Sequence, residues 1–290
     1  GEDLVPPQFG KVFISIKPRN GDFVPNLIKQ NIKRDLKKYS VAGIVPEILD
    51  LKYLFIETNS NVYYNTNLAP SASFVSTKIQ RDLISYAESS ELNRYGARFK
   101  YSKFLKVIDQ SHESVTSNIT TVEMRRDLRL AISEVAEYAI DFGNQFHIKS
   151  MNGFNIRSSA FRVVNISSDV YLFDVPRSDG KTGQIGLFSL TAGSSTPVIQ
   201  RRNIGIINYE KGRITLDPIN IVSGKVKDGV QIMEISVSPE SNDVIGLQDL
   251  YLQLDRSTVD MVVDQISSGI DPSGSTYTVT TSYKNGSIVR

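Results

Sequence analysis

The sequence predicts an α+β fold: an N-terminal strand/helix sandwich domain followed by a β-rich hairpin domain with one late helix. Three observations predict it. Over roughly the first 130 residues, segments of period two alternate with segments of helical period. After about residue 135 the chain turns to short β-branched and aromatic runs separated by turn residues. Near the end, "RSTVDMVVDQISS" returns to helical apolar spacing. These place an α+β domain over 5–135 and a β-rich domain over 136–290, with the C-terminal segment free to return to the first domain. A chain of 290 residues is long enough for two such cores.

In the first domain, "KVFISIK" puts Val12, Ile14 and Ile16 on one face and reads as a strand. The turn "PRNGD" follows. Pro25 then suits the first turn of a helix, where its missing N–H costs nothing. Leu27, Ile28, Ile32, Leu36 and Tyr39 recur at helical spacing along "NLIKQNIKRDLKKYS", with Asp22 near its start and Lys37 and Lys38 near its end complementing the dipole. "PEILDLKYLFIETN" reads as a second, longer strand. Val75, Ile79, Leu83 and Tyr86 mark a second amphipathic helix, capped by Ser71 or Ser73. "YSKFLKVID" adds a short helical segment, and "SNITTVEMRRDL" returns as a strand. The order suggests one layer of helices on one sheet.

"RLAISEVAEYAIDFGNQF" fits both periods, and Tyr138 to Phe142 is read as extended. Beyond it come "IRSSAFRVV", "DVYLFDV", "QIGLFSL", "NIGIINY", "RITLDPINI", "VQIMEISVS" and "YTVTTSY", each a short β run.

Within "DVPRSDGKTGQIGLF", Gly180-Lys181-Thr182 has the ending of a phosphate-binding loop. Such a loop needs an earlier glycine at position 175, which is Val175, and must feed a helix rather than the strand-like "GQIGLFSL". Asp179-Gly180 between alternating runs is instead a hairpin turn, with Lys181 a solvated edge charge. Glu210-Lys211-Gly212 reads as a three-residue hairpin loop with Gly212 left-handed, and Asn285-Gly286 as a two-residue turn.

Chemistry is sparse. There is no cysteine, which excludes disulfides, thiolate metal sites and a cysteine nucleophile, and fits a reducing cytoplasm. His112 and His147 are the two histidines, and no His-x-x-x-His or Glu-x-x-His pair exists. His112 is expected exposed in its polar loop, and His147 at the surface or against a partner. No Gly-x-Ser-x-Gly elbow appears. Glu240, Asp243, Asp249 and Asp255 are the candidates for glycan-hydrolase carboxylates, which must converge across a cleft. Their spacing shows no convergence, nor does that of Asp109 and Glu113. Lys29, Lys33, Arg34, Lys37 and Lys38 form a basic row, but single-strand binding wants interleaved aromatics and only Tyr39 is near. The row therefore reads as a solvated helix face. Asn118, Asn165 and Asn285 open glycosylation sequons with no other sign of secretion. Net charge is +2, giving no global field for nucleic acid or anionic lipid. No apolar run approaches the roughly 18 residues of a membrane span. The chain opens Gly1-Glu2-Asp3, so a fragment or processed product is expected.

Read in order, "PPQFGKVFISIKPRNGD", "YSVAGIVPEILDLKYLFIE", "VYYNTN", "RYGARFKYSKFLKVIDQ", "IDFGNQF", "IRSSAF", "IGIINYEKGRITLDPINI" and "SPESNDVIGLQDLYLQLD" resemble the baseplate wedge proteins of T-even-type contractile-tailed phages. These belong to the wider baseplate J-like family, and the likeness is to their C-terminal part. The resemblance implies a structural protein of the virion tail baseplate, assembled in the host cytoplasm and present twice per wedge. It implies partnership with itself, as a homodimer and in a ring around the central hub, and with other baseplate wedge proteins. It implies that the ring rearranges when the sheath contracts. It implies no enzyme and gives no catalytic residues to carry over. The residues themselves show no cofactor loop, metal cluster or acid/base constellation, so no cofactor-binding or metal residues, no cofactor, and no nucleic-acid, membrane or small-molecule partner are expected. A peptidoglycan hydrolase of the tail, with two facing carboxylates, and a receptor-binding tail module are the alternatives.

Overall fold

The computed structural model describes residues 10–18, 24–41, 43–191, 196–247 and 250–264, with the strand residues 283–284 and 287–288. In chain order the first half runs β1 (Lys11–Ser15), α1 (Asn26–Lys37), β2 (Val45–Leu49), β3 (Lys52–Tyr64), α2 (Ala72–Glu88), β4 (Arg98–Phe99), α3 (Tyr101–Ser111) and β5 (Val115–Arg129). Then come β6 (Val135–Asp141), β7 (Ile156–Ser158), β8 (Arg162–Val163), β9 (Tyr171–Pro176), β10 (Thr182–Leu190), β11 (Pro197–Asn208) and β12 (Arg213–Ser223). The last elements are β13 (Lys225–Lys227), β14 (Val230–Val237), β15 (Val244–Ile245), β16 (Leu250–Val263), β17 (Tyr283–Lys284) and β18 (Ser287–Ile288). The fold is α+β, dominated by strands.

The N-terminal strand and helix do not join the main sheet, as a single sandwich would require. β1 and β2 pair in parallel, Lys11 beside Val45 and Ser15 beside Leu49, with α1 as the crossover. The expected long strand over "PEILDLKYLFIETN" is therefore two strands, broken at Asp50-Leu51. Asp50 turns to the Lys29 ammonium, and Leu51 drops into a small cluster with Tyr53, Phe55 and Tyr251. Pro25 stands one place earlier than expected, as the N-cap, and its carbonyl accepts from the Lys29 N–H at 3.1 Å. Asp22 and the turn after Pro18 lie outside the described residues.

The main sheet has the order β13-β14-β5-β3-β16, with β7 also on β14. Its outer strands come from the second half of the chain, so sequence halves and sheets do not coincide. β16 runs parallel to β3, and β5 runs antiparallel to both of its neighbours, β3 and β14. Leu54, Ile56 and Val62 belong to the same core cluster as Val75, Ile79 and Leu83 of α2 and Phe104 and Ile108 of α3. Each such side chain contributes roughly 1.5–3 kcal/mol by leaving water. The Ser71 hydroxyl caps α2 by accepting from the Phe74 N–H at 3.2 Å. α3 is longer than expected, three turns closed at its start by the Asp243 carboxylate, which accepts from the Tyr101 N–H at 2.8 Å.

The late helix expected over "RSTVDMVVDQISS" is corrected. Residues 256–263 are the end of β16, and 265–268 lie outside the described residues. Val259, Val262 and Val263 satisfy helical spacing, yet the β-branched Thr258, Val259, Val262 and Val263 also suit a pleated surface. The parallel partner β3 decides it. Val259 and Met261 pack on the core, while Thr258, Asp260 and Val262 face out.

The second sheet, β6-β12-β11-β10-β9 with β8 on β12, is antiparallel throughout and built from hairpins. Tyr138 to Asp141 is extended, as read, within β6. The β11–β12 loop is longer than expected. Asn208 pairs with Arg213, leaving four residues, Tyr209 to Gly212, with the Asn208 side chain accepting from the Lys211 N–H at 2.8 Å. Gly212 is left-handed, at φ +63°. β17 and β18 pair antiparallel around 285–286, which lie outside the described residues, as does most of "YTVTTSY". Apolar residues of both sheets form one continuous cluster, including Leu54 and Met124 of the first and Ile185, Leu187 and Leu216 of the second.

Candidate functional site

The phosphate-loop question is settled by geometry. Residues 177–182 form the turn between β9 and β10, where the Arg177 N–H reaches the Thr182 carbonyl at 2.8 Å. The Asp179 carboxylate fills the place an anion would need. It accepts from the N–H groups of Lys181 and Thr182, both at 2.9 Å, and from the Thr182 hydroxyl at 2.6 Å. The Thr182 hydroxyl first, then these N–H groups, lowers the Asp179 pKa to about 2. Lys181 is exposed, as expected, and pairs with Glu210 at 2.9 Å.

The carboxylates weighed for catalysis are dispersed. Asp243 caps α3, Asp255 serves Arg125, and Asp109 accepts from the Asn118 amide at 2.6 Å. Asp249 lies outside the described residues. Glu113 is exposed. Glu240 meets His147 Nδ1 at 2.8 Å on the surface. His112 is half-buried rather than exposed, because its Nδ1 closes the turn after α3 against the Ser114 hydroxyl (2.8 Å) and N–H (3.1 Å). Among the described residues no group of three His, Asp or Glu is placed to hold a metal.

The basic row is also reoriented. Lys29 pairs with Asp50 at 2.5 Å and Lys33 with Glu47 at 2.9 Å, so both face β2 rather than open solvent. Lys38 pairs with Asp35 at 3.0 Å on the helix itself. In exchange Leu27 and Ile28 are 69% and 47% exposed, and α1 has no buried residue. A short parallel pair with one helix cannot cover its own apolar surface.

Two polar centres had no signal in the sequence. The first surrounds Arg125, which is 1% exposed yet sits on the sheet face away from the helices. Its guanidinium donates to Glu57, to Asp127 at 2.9 Å and to Asp255 at 2.8 Å, and lies over the Phe55 ring at 4.5 Å. Burial opposes the charge, but Asp127 and Asp255 outweigh it and hold the guanidinium above its ordinary pKa. Arg256 adds contacts to Glu57 at 3.3 Å and Glu234 at 3.6 Å. β3, β5, β14 and β16 are thus tied across one face by a charge network. An open groove of about 650 Å³ runs beside it, lined by Glu57, Glu123, His147, Lys149, Arg157 and Glu240. Its charges are mixed and already paired with one another, which suits a polar contact surface better than a small anion or cation.

The second centre is Asp174, fully buried. Its carboxylate accepts from the N–H groups of Asn155 and Ile156, both at 2.8 Å, from the Asn155 amide at 3.0 Å and from the Tyr209 hydroxyl at 2.5 Å. Burial first, then the Asp174 charge, raises the Tyr209 pKa. All four bonds hold β9 to the start of β7 and the β11–β12 loop. Among the described residues no second carboxylate bonds at the site, so it has a clamp's geometry rather than that of an acid/base pair.

Comparison with known proteins gives a structural protein of a phage baseplate as what the chain is similar to. Residues 1–49 match the family "Baseplate structural protein gp6, C-terminal domain I", and residues 52–127 match "C-terminal domain III" of the same protein. The boundary falls where β2 ends and β3 begins. The chain is also 29% identical over 274 residues to "Baseplate wedge protein gp6" of Enterobacteria phage T4, an alignment covering 83% of this chain. It spans 40% of that relative's length. No helix is long and apolar enough to cross a membrane.

Proposed function

From a chain that resembles the gp6-type baseplate wedge proteins of T-even-type phages along most of its length, we propose a structural role in a contractile tail baseplate. The chain joins neighbouring wedges into a ring around the central hub, through contacts with itself and with other wedge proteins. The ring changes its contacts when the sheath contracts. The chain acts in the virion after assembly in the host cytoplasm and catalyses no reaction.

The observation that carries this reading is the ordered similarity to a baseplate wedge protein, in which two successive C-terminal domain families meet at the β2/β3 boundary. The geometry supports it physically. The half-covered N-terminal unit and the ion-tied outer sheet face offer broad surfaces, and Asp109, Asp243 and Asp255 are held in structural contacts. Large, partly polar contacts suit a joint that must form and later release. The units expected at 5–135 and 136–290, with strands after 230 returning to the first sheet, are proposed to carry different joints.

Disrupting the gene in its phage and supplying it in trans is the test. Without it, wedges should accumulate unjoined and no complete tails form, and complementation should restore both. Complete, infectious tails in its absence would refute the role.

A further inference from the structure

We propose that the free edge of β16 pairs antiparallel with β16 of a second copy, about a two-fold axis at Thr258. The proposal rests on the self-association just inferred and gives it a location and a register.

β16 is 14 residues long, and among the described residues its only strand neighbour is β3. An unpaired edge of this length is a template for another strand, and proteins that leave one bare guard it with charge or cover it. Beside this edge lies α2, where Ile84 is 60% exposed over a recess of about 230 Å³ that Leu83, Ala87 and Leu254 also line.

The charges on the strand choose the occupant. Arg256, Thr258 and Asp260 stand opposite Glu57, Asn59 and Asn61, on the sheet face away from the helices. Arg256 is 53% exposed, and Asp260 is exposed with no ion pair among the described residues. When two copies meet about an axis perpendicular to the sheet, each residue must face one an even number of positions away, or the pleats would not match. Centring on Arg256 sets arginine against arginine, and centring on Asp260 sets aspartate against aspartate. Centring on Thr258 sets Arg256 of each copy against Asp260 of the other, twice, with Thr258 against itself. Opposite charges and threonine pairs are favourable directly across strands, while like charges are not. Of these three registers, the one centred on Thr258 sets no like charges directly opposite each other at 256, 258 and 260.

The absence of cysteine from the chain makes the test clean. Thr258→Cys should place two thiols about 5 Å apart between Cβ atoms, close enough for a disulfide after small adjustment. The variant should then crosslink nearly completely under mild oxidation, while Ile119→Cys, exposed on the same face, should not. Light scattering of the 290-residue chain should show a dimer. Arg256→Glu and Asp260→Lys should each weaken it about tenfold or more, and an equimolar mixture should restore it, because each copy then supplies the charge the other lacks. Circular dichroism confirms that each variant is folded. A dimer that neither crosslinks at 258 nor responds to the charge reversals would overturn this joint while leaving self-association intact. A monomer at every concentration would overturn both.

Discussion

Replacing Asp174 should cost stability in proportion to the hydrogen bonds it loses. The carboxylate is fully buried and accepts four, two from backbone N–H groups that have no water to turn to. A hydrogen bond to a charged acceptor contributes about 1.5–3 kcal/mol, and a buried donor left alone costs about 1–3 kcal/mol. Asp174→Ala strands both N–H groups, the Asn155 amide and the Tyr209 hydroxyl, so about 4–6 kcal/mol is expected once non-additivity within one cluster is allowed for. Asp174→Asn keeps an oxygen for the two N–H groups and lets the Tyr209 hydroxyl accept instead, but sets amide against amide at Asn155. About half the loss follows. Tyr209→Phe removes one donor and should cost about 1.5–3 kcal/mol. Urea unfolding gives the three values, and the Ala variant should melt roughly 10 °C lower. A carboxylate held under strain for chemistry would behave in the opposite way, since its removal leaves stability unchanged or raises it. Equal or improved stability in the Ala variant would therefore refute the clamp.

Three further outcomes are expected. Arg125→Met removes the buried cation that Glu57, Asp127 and Asp255 share, leaving only the peripheral Arg256 and Lys227, and should destabilise by about 3–5 kcal/mol in the same urea assay. Gly180 and Gly212 share a left-handed backbone, at φ +64° and +63°, but a Cβ meets nothing within 4 Å at the first and lies 1.9 Å from the Asn144 carbonyl oxygen at the second. Gly180→Ala should cost about 1 kcal/mol and Gly212→Ala clearly more, about 2–4 kcal/mol. Asp179 has a folded pKa of about 2 against 3.8 for the free side chain. Its stabilising contribution is complete above about pH 4 and fades as pH falls towards 2. Carboxyl NMR titration should give that low value, and Asp179→Asn should flatten the stability profile in that window alone.

Much of the fold was legible because local signals and packing agreed. The stripe Val75, Ile79, Leu83 faces the core as its spacing required, and Ser71 caps α2 as its side chain allows. Asp179-Gly180 and Gly212 make turns where positive φ was needed. The larger failures share one source: partners the local pattern does not contain. Val259, Val262 and Val263 fit a helix until β3, some 200 residues earlier, supplies a parallel neighbour. Lys29 and Lys33 read as a solvated face until Glu47 of β2 and Asp50 just after it are placed against them. Asp174 and Arg125 gave no sequence signal because their ligands come from separate strands and loops. Nothing local marked Asp174.

Cryo-electron microscopy of intact tails from the phage that encodes this chain tests the central claim most directly. The account predicts density for this fold repeated in a closed ring around the hub, each copy touching another copy and a different wedge component. Finding the fold at a fibre tip, or with a cell-wall fragment held in a cleft between two carboxylates, would contradict it.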